Sequence, residues 1–512
     1  MDYFCLIQSV LAFIEGRIAK GNGAVVLEDG LAPELEVAIG VSYAHLREVF
    51  KECTGMSLGR YLLYRRVSKA AFEMAHGDRP LLDIALDCGF DNPDTFTRAF
   101  RRFVGMTPSG FRKARIEVGR IKLTGGIFGP GLAIGREGPS IPLIPEEHMQ
   151  ETRIEKTMDG CVLYGVPRVW YGPEGITPLP SVLRSVFNYL GQDIRYTRIM
   201  AASGAAFRLR WNPGRWDGGN VDTLRIYQRP EETIERALAA AGRSFRILRR
   251  GEGVGREEFE AFIRAEIDEG RPVVAFGIIG PPEACIVAGY REGGRLLLGW
   301  NFFQENPEFA ASSTVDPSGY FSTPAWWENP STTMLLSVGE GRGRALDDRD
   351  VLSNALEVLR RERIGPWAGG RAAFDAWARD LSDESQFPKG APLPLLFERL
   401  MCENDALAMI GEGRYHAAAY METVASRLEG EKSPVAGKLA VRARAIGGLF
   451  RKEYELTQGM AEAVGGWLGG EDSARRLADP AVRAAIVPLI LEARDLDGEA
   501  AKGIEEVLAA WR

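Results

Sequence analysis

The stretch DNPDTFTRAFRRFVGMTPSGFRKAR, residues 91–115, places Arg98, Arg101, Arg102, Arg112, Lys113 and Arg115 directly behind a helix-capping Asn-Pro pair. A guanidinium is a planar fork of donors that fits a phosphate, or the edge of guanine, two-pronged; lysine adds a point charge. Such a run is most often only a solvated helix face. Here the charge is local. Residues 42–115 carry 13 basic and 8 acidic side chains, whereas residues 116–512 carry 48 and 56, in a 512-residue chain of net charge -7. An acidic chain that gathers cations in one segment can meet a polyanion there while holding nonspecific, salt-driven attraction down elsewhere.

Other reactive residue types are sparse. Cys5, Cys53, Cys88, Cys161, Cys285 and Cys402 stand alone, with no CxxC pair and no histidine at ligand spacing. This implies reduced, mostly buried thiols in a cytoplasmic protein, with no structural metal. The opening MDYFCLIQSVLAF lacks a basic n-region and is too short and too interrupted by Gln8 to span a bilayer, so no membrane role is expected. GEGVGREE (251–258) is glycine-rich but lacks the order of a phosphate-cradling loop, and no cofactor is implied.

The cations belong to a repeat. HLREVFKECTGMSLGRY (45–61) lies over TFTRAFRRFVGMTPSGF (95–111) at a constant offset of 50 residues, matching Phe50 to Phe100, Gly55 to Gly105 and Met56 to Met106. Each copy reads as a helix-turn-helix. In the first, Gly40 stops a short helix and Ser42 caps the next; in the second, Pro80 opens a helix, Gly89 stops it, Asn92 caps and Pro93 starts the following one. Leu46, Val49 and Phe50, then Phe96, Ala99, Phe100 and Phe103, fall on the inner faces. SLGRYLLYRRVSKAAFEMAHG reads as a longer helix linking the copies.

With these parts in place, residues 5–115 resemble the AraC-family DNA-binding domain, whose pattern is matched by IALDCGFDNPDTFTRAFRRFVGMTPSGFR. The resemblance implies two recognition helices in successive major-groove segments on one face of double-stranded DNA. By position it assigns base-edge contacts to Ala44, Arg47, Glu48, Asp94, Thr97 and Arg98. Lys51, Arg101, Arg102, Arg112 and Lys113 take the phosphates, which position the protein without specifying sequence. Ala44 stands where the family often carries a larger side chain.

Beyond this all-α domain (1–115), residues 116–150 are dense in Gly and Pro and read as a linker. Helical and then β-rich patterns fill 151–345. CIVAGY-REGG-RLLLGW is a hairpin signal, and an alanine-rich helical pattern runs over 346–512. The order predicts an α+β domain with a helical subdomain, in a multidomain chain. YHAAAYMETVASRL offers a small apolar face for a homodimer or, more simply, for the subdomain's own core.

The β-rich part resembles papain-like folds of the bacteriocin-processing-peptidase and butirosin-acyltransferase type, over about residues 155–380. Those enzymes begin a long helix with cysteine, a strand with histidine, and carry Asn or Asp on the next strand. Here EGITPLPSV holds no cysteine, the histidine position is Glu283, and His45, His76, His148 and His416 all lie outside the span. Without a thiolate and its base the papain route is closed, and an inactive, ligand-sensing domain is expected. Six of the ten tryptophans lie between residues 170 and 327. Aromatic residues with a few polar groups line small-molecule sites, which nominates Glu283, Trp300, Asn301, Trp326 and Trp327 as a pocket. Together the two resemblances imply a transcription regulator that takes a small-molecule or peptide effector and works with RNA polymerase. The alternative is a papain-like acyltransferase or amidohydrolase carrying an autoregulatory DNA-binding domain.

Overall fold

The computed structural model describes residues 79–104 except Asp91, scattered positions between 32 and 112, and residues 152–511 apart from short stretches at 172–174, 217–221, 305–308, 311, 342–344, 432 and 467–470. The chain divides into two compact units, 1–144 and 145–512. The expected linker, 116–150, lies outside the described residues, as do Glu48, Lys51 and Lys113.

In the first unit, helix α1 (Leu81–Asp87) leads into α2 (Pro93–Val104). Gly89, at φ 78°, ends α1 in the left-handed region that glycine adopts without a Cβ penalty. The amides of Gly89 and Phe90 return to the carbonyls of Leu86 and Ala85, closing a Schellman motif. Arg66 ties this end down, its Nε donating to the Cys88 carbonyl at 2.8 Å. Asn92 caps α2 through Oδ1, which accepts from the Thr95 amide at 2.8 Å. Asn92→Ala should cost about 1 kcal/mol and speed hydrogen exchange at the Thr95 amide; unchanged exchange there would contradict the cap. Phe90, Phe96, Ala99 and Phe100 pack on Val67, Ala70 and Met74 of the linking segment, so one apolar face of α2 is sunk in a core of its own.

The second unit is built on an antiparallel sheet, as the α+β expectation requires. Its strands are β1 (Arg153–Lys156), β2 (Cys161–Tyr164), β4 (Arg243–Arg249), β5 (Val273–Phe276), β6 (Ala284–Arg291), β7 (Leu296–Trp300), β8 (Thr314–Val315), β9 (Phe321–Thr323) and β10 (Met334–Gly341). They run in the order β4-β10-β5-β6-β7-β9-β8, with β2 joining β6 and β1 joining β2. The REGG signal is the β6–β7 hairpin, registered from Ile286 opposite Trp300 to Arg291 opposite Leu296. Helix α3 (Pro178–Tyr189) and helix α6 (Arg256–Asp268) pack against this sheet, where the side chains of Val182, Val186, Phe259 and Ile263 join those of Ile286 and Leu336. GEGVGREE is the entry to α6, and the Gly255 amide is taken by Glu258 at 2.8 Å, so an internal carboxylate fills that helix end.

A second core crosses residue 345. Helix α4 (Tyr196–Ala202) and Phe207 are buried with α7 (Asp348–Arg360) and with three long helices, α9 (Leu393–Gly430), α10 (Pro434–Val464) and α12 (Pro480–Ala510). The helical region expected from residue 346 onward therefore shares its interior with residues 196–227. A small sheet does the same, with β12 (Trp367–Gly369) at its centre between β3 (Arg210–Trp211) and β11 (Arg363–Ile364). Ala417, Tyr420, Met421 and Val424 face this core, so the small-residue face of YHAAAYMETVASRL is interior.

Candidate nucleic-acid interface and ligand site

On α2 the burial alternates with helical period. Phe96, Ala99 and Phe100 are buried, while Asp94, Arg98 and Arg101 are exposed and Thr97 is half-buried between them. One solvent face thus carries a carboxylate, a hydroxyl and two guanidinium groups, the donors and acceptors that base edges and phosphates require. Arg102 belongs to the same helix. Arg112 is half-buried, with Nε and Nη2 shut off from solvent and without a hydrogen-bond partner. In the first copy, residues 43–47 are helical, the His45 amide donates to Ser42 Oγ at 3.4 Å, Leu46 is buried, and Ala44 and Arg47 are exposed. The structure therefore brings Asp94, Thr97, Arg98 and Arg101 onto one accessible face and places Ala44 and Arg47 on the surface of the first copy.

The expected ligand pocket does not assemble around its tryptophans. Trp300 is a core residue whose Nε1 donates to the Val166 carbonyl at 2.8 Å; Trp326 is fully buried and donates to the Arg295 carbonyl at 3.2 Å. Trp327 packs edge-on to Phe259 under the Arg250 guanidinium. Asn301 is spent on backbone, donating to the Gly277 carbonyl at 3.1 Å and accepting from the Phe303 amide at 2.8 Å. Indole and amide groups buried in this way must be satisfied internally, which removes them from a ligand. Glu283 accepts from the Tyr171 hydroxyl at 2.5 Å, and burial pushes its carboxyl above the usual carboxylate range. The cavity of this region is lined instead by neighbours of these residues, among them Ile278, Phe309, Thr323, Ala325 and Glu328.

Where the resembled enzymes begin their long helix, Thr177 heads α3. Its Oγ1 donates to Glu412 Oε2 at 2.5 Å, while Glu412 Oε1 accepts from the Ile176 amide at 2.6 Å and the Tyr196 hydroxyl at 2.7 Å. Arg208 Nη2 reaches Thr177 Oγ1 at 3.4 Å. His416 lies beside the cluster, edge-on to Tyr196 and 3.0 Å from Thr197 Oγ1, and burial lowers its pKa to about 4. Sequence reading missed this group because Glu412 and His416 follow Thr177 by more than 230 residues. Thr177 is 1 % exposed, and the cluster anchors a helix end. The Cys285 thiol is buried and pushed up to about 12 by desolvation, far from a thiolate at neutral pH. Cys88, Cys161 and Cys402 are likewise buried and outside any disulfide. Among the described residues no cluster could hold a metal ion, and no helix is long and apolar enough to cross a membrane.

Two helices joined by a glycine-stopped turn, the second presenting a cationic face, define a helix-turn-helix module. A family model described as a helix-turn-helix domain matches residues 36–114. The Right origin-binding protein of Escherichia coli strain K12 is 36% identical over 114 residues, which is 22% of this chain and 37% of that protein. The Transcriptional regulator Rob of Salmonella typhimurium gives the same figures. The Regulatory protein SoxS of E. coli K12 is 41% identical over 113 residues, 22% of this chain and 97% of SoxS. The chain belongs to the AraC family of helix-turn-helix, DNA-binding transcription regulators. It spans little more than a third of the length of the Right origin-binding protein, and the shared part is about a fifth of its own.

Proposed function

We propose that this chain is a one-component regulator whose N-terminal domain reads an asymmetric site in double-stranded DNA and activates transcription with RNA polymerase. The observation that carries the reading is the α2 face, where Asp94, Arg98 and Arg101 stand free of the core that holds Phe96 and Phe100. Arg98 takes a guanine edge, Arg101 and Arg102 take phosphates, and Ala44, Arg47 and Glu48 read the neighbouring groove. The remaining residues form a non-catalytic, cytoplasmic sensing module. Its likeness to papain-type folds is supported by α3 packing on the sheet with Thr177 at its head, Glu283 before β6 and Asn301 after β7. The effector acts through differential affinity for the DNA-competent and incompetent states.

The test is a pair of variants. Arg98→Ala should lose about 1–3 kcal/mol at one base position and relax specificity there. Arg101→Ala should weaken all sequences alike and lower the slope of log affinity against log salt by about 1. Selection of bound sequences from a random duplex pool, with salt titration, reads both. Identical behaviour of the two variants would overturn the division of roles.

A further inference from the structure

A cavity of about 490 Å³ opens between residues 278–281 after β5, the side of Phe309, Ser312 and Ser313, and lining residues from Thr323 to Ser331. Its size lies within the range of small-molecule sites. The wall is strained and stitched in place. Ile278, a β-branched residue, sits at φ 58°, with its amide donating to Thr332 Oγ1 at 3.1 Å. The preceding Gly277 leaves no room for a Cβ, which would stand 2.2 Å from the Ser331 carbonyl oxygen. Asn329 Nδ2 bonds the Gly280 carbonyl at 2.9 Å across the gap. Backbone held in a left-handed conformation that its side chain disfavours, at the wall of an open cavity, is a mark of a built site.

The lining decides the ligand chemistry. Ile278 and Phe309 give apolar surface, Ser313 and Thr323 give hydroxyls, and Glu328 is the one ionisable group among the described lining residues. Two arginines, Arg256 and Arg250, stand beside the cavity. Arg256 holds Glu260 at 2.8 Å and stands 3.6 Å from Glu328, so these three groups keep a net negative charge. Arg250 lies over the Trp327 ring at 3.9 Å and donates to the carbonyls of Trp327 and Asn329. An anion entering here would meet the net negative charge of Glu260, Glu328 and Arg256 taken together, whereas an ammonium group meets the Glu328 carboxylate, which is 63 % exposed at the cavity mouth.

We propose that this cavity binds a small primary amine with an apolar body, as the effector site of the sensing module on which this inference rests. The test uses the full chain with 2-phenylethylamine, and with 2-phenylethanol and phenylacetate as neutral and anionic counterparts, measured by calorimetry. The amine should bind at least fivefold more tightly than phenylacetate at pH 7, and Glu328→Gln should shrink that ratio below twofold. Ala325→Trp and, independently, Ser313→Trp should fill the cavity and abolish binding, with unchanged thermal midpoints showing that each variant folds. Equal or tighter binding of the anion, or binding that survives both tryptophan variants, overturns the proposal. Amine binding that leaves DNA affinity unchanged sinks the sensing role and keeps the cavity's chemistry. Sequence-specific DNA binding by a chain that ignores the amine sinks the cavity assignment alone.

Discussion

Arg414→Ala is expected to destabilise the C-terminal unit by about 3–5 kcal/mol, the cost of leaving buried charge unpaired. Arg414 is wholly buried on α9. Its Nη2 meets Asp497 at 2.5 Å and its Nε meets Glu453 at 3.2 Å, so one guanidinium bolts α9 to both α10 and α12. The remaining nitrogen donates to the carbonyls of Ala206 at 3.0 Å and Arg208 at 3.3 Å, reaching the segment after α4. Alanine would strand two carboxylates and two carbonyls in a dry interior. Replacing Arg414, Glu453 and Asp497 together by apolar residues of similar volume should recover the carboxylate part of the loss but not the carbonyl part. Urea unfolding of the full chain, followed by tryptophan emission, separates these. The single variant should also regain stability on acidification, because buried carboxylates without their cation favour the protonated form and folding then takes up protons. A midpoint for Arg414→Ala equal to that of the parent protein would remove Arg414 from its structural role.

That dependence on α9 explains which parts of the molecule sequence could and could not show. The DNA-reading unit is built from local signals. Gly89 stops a helix, Asn92 caps the next and Pro93 starts it, and each acts within four residues of its partner. The β6–β7 hairpin is equally local, since its turn residues lie between the strands they join. The ligand region is different. Trp300 and Trp326 have the composition of a pocket, but whether an indole lines a cavity or fills a core depends on the carbonyl its N–H finds, here Val166 and Arg295. The run CENDALAMIGEGRYH belongs to the alanine-rich helical pattern, which does not say that Glu403, Glu412, Arg414 and His416 are all buried; they are, because distant segments converge on α9. No period within α9 records that convergence. Partners 26 to 236 residues away decide it.

The second large effect follows from the same helix. Glu403 is fully buried, accepts from Trp377 Nε1 at 2.6 Å through Oε2, and has no partner for Oε1; desolvation raises its pKa to about 8. A carboxyl whose folded pKa exceeds its unfolded value contributes stability that is complete below the unfolded pKa and is lost as pH rises through the folded one. From the ordinary value of 4.5 up to about 8, the native state should therefore weaken with increasing pH, by a total on the order of 5 kcal/mol for this group. Glu403→Gln keeps an acceptor for the Trp377 indole and removes the ionisation. It should lie close to the parent protein near pH 5 and exceed it by roughly 4 kcal/mol at pH 8.5. Neighbouring Asp405, raised to about 7 by burial and then by Glu283, has the same sign and will leave a smaller residual slope in the variant. Stability measured by urea unfolding from pH 5 to 9 decides the matter. Parallel curves for the two proteins would mean that Glu403 is charged when folded and that a cation compensates it. The asymmetry runs in the direction opposite to an ordinary salt-bridged carboxylate, so the sign alone discriminates.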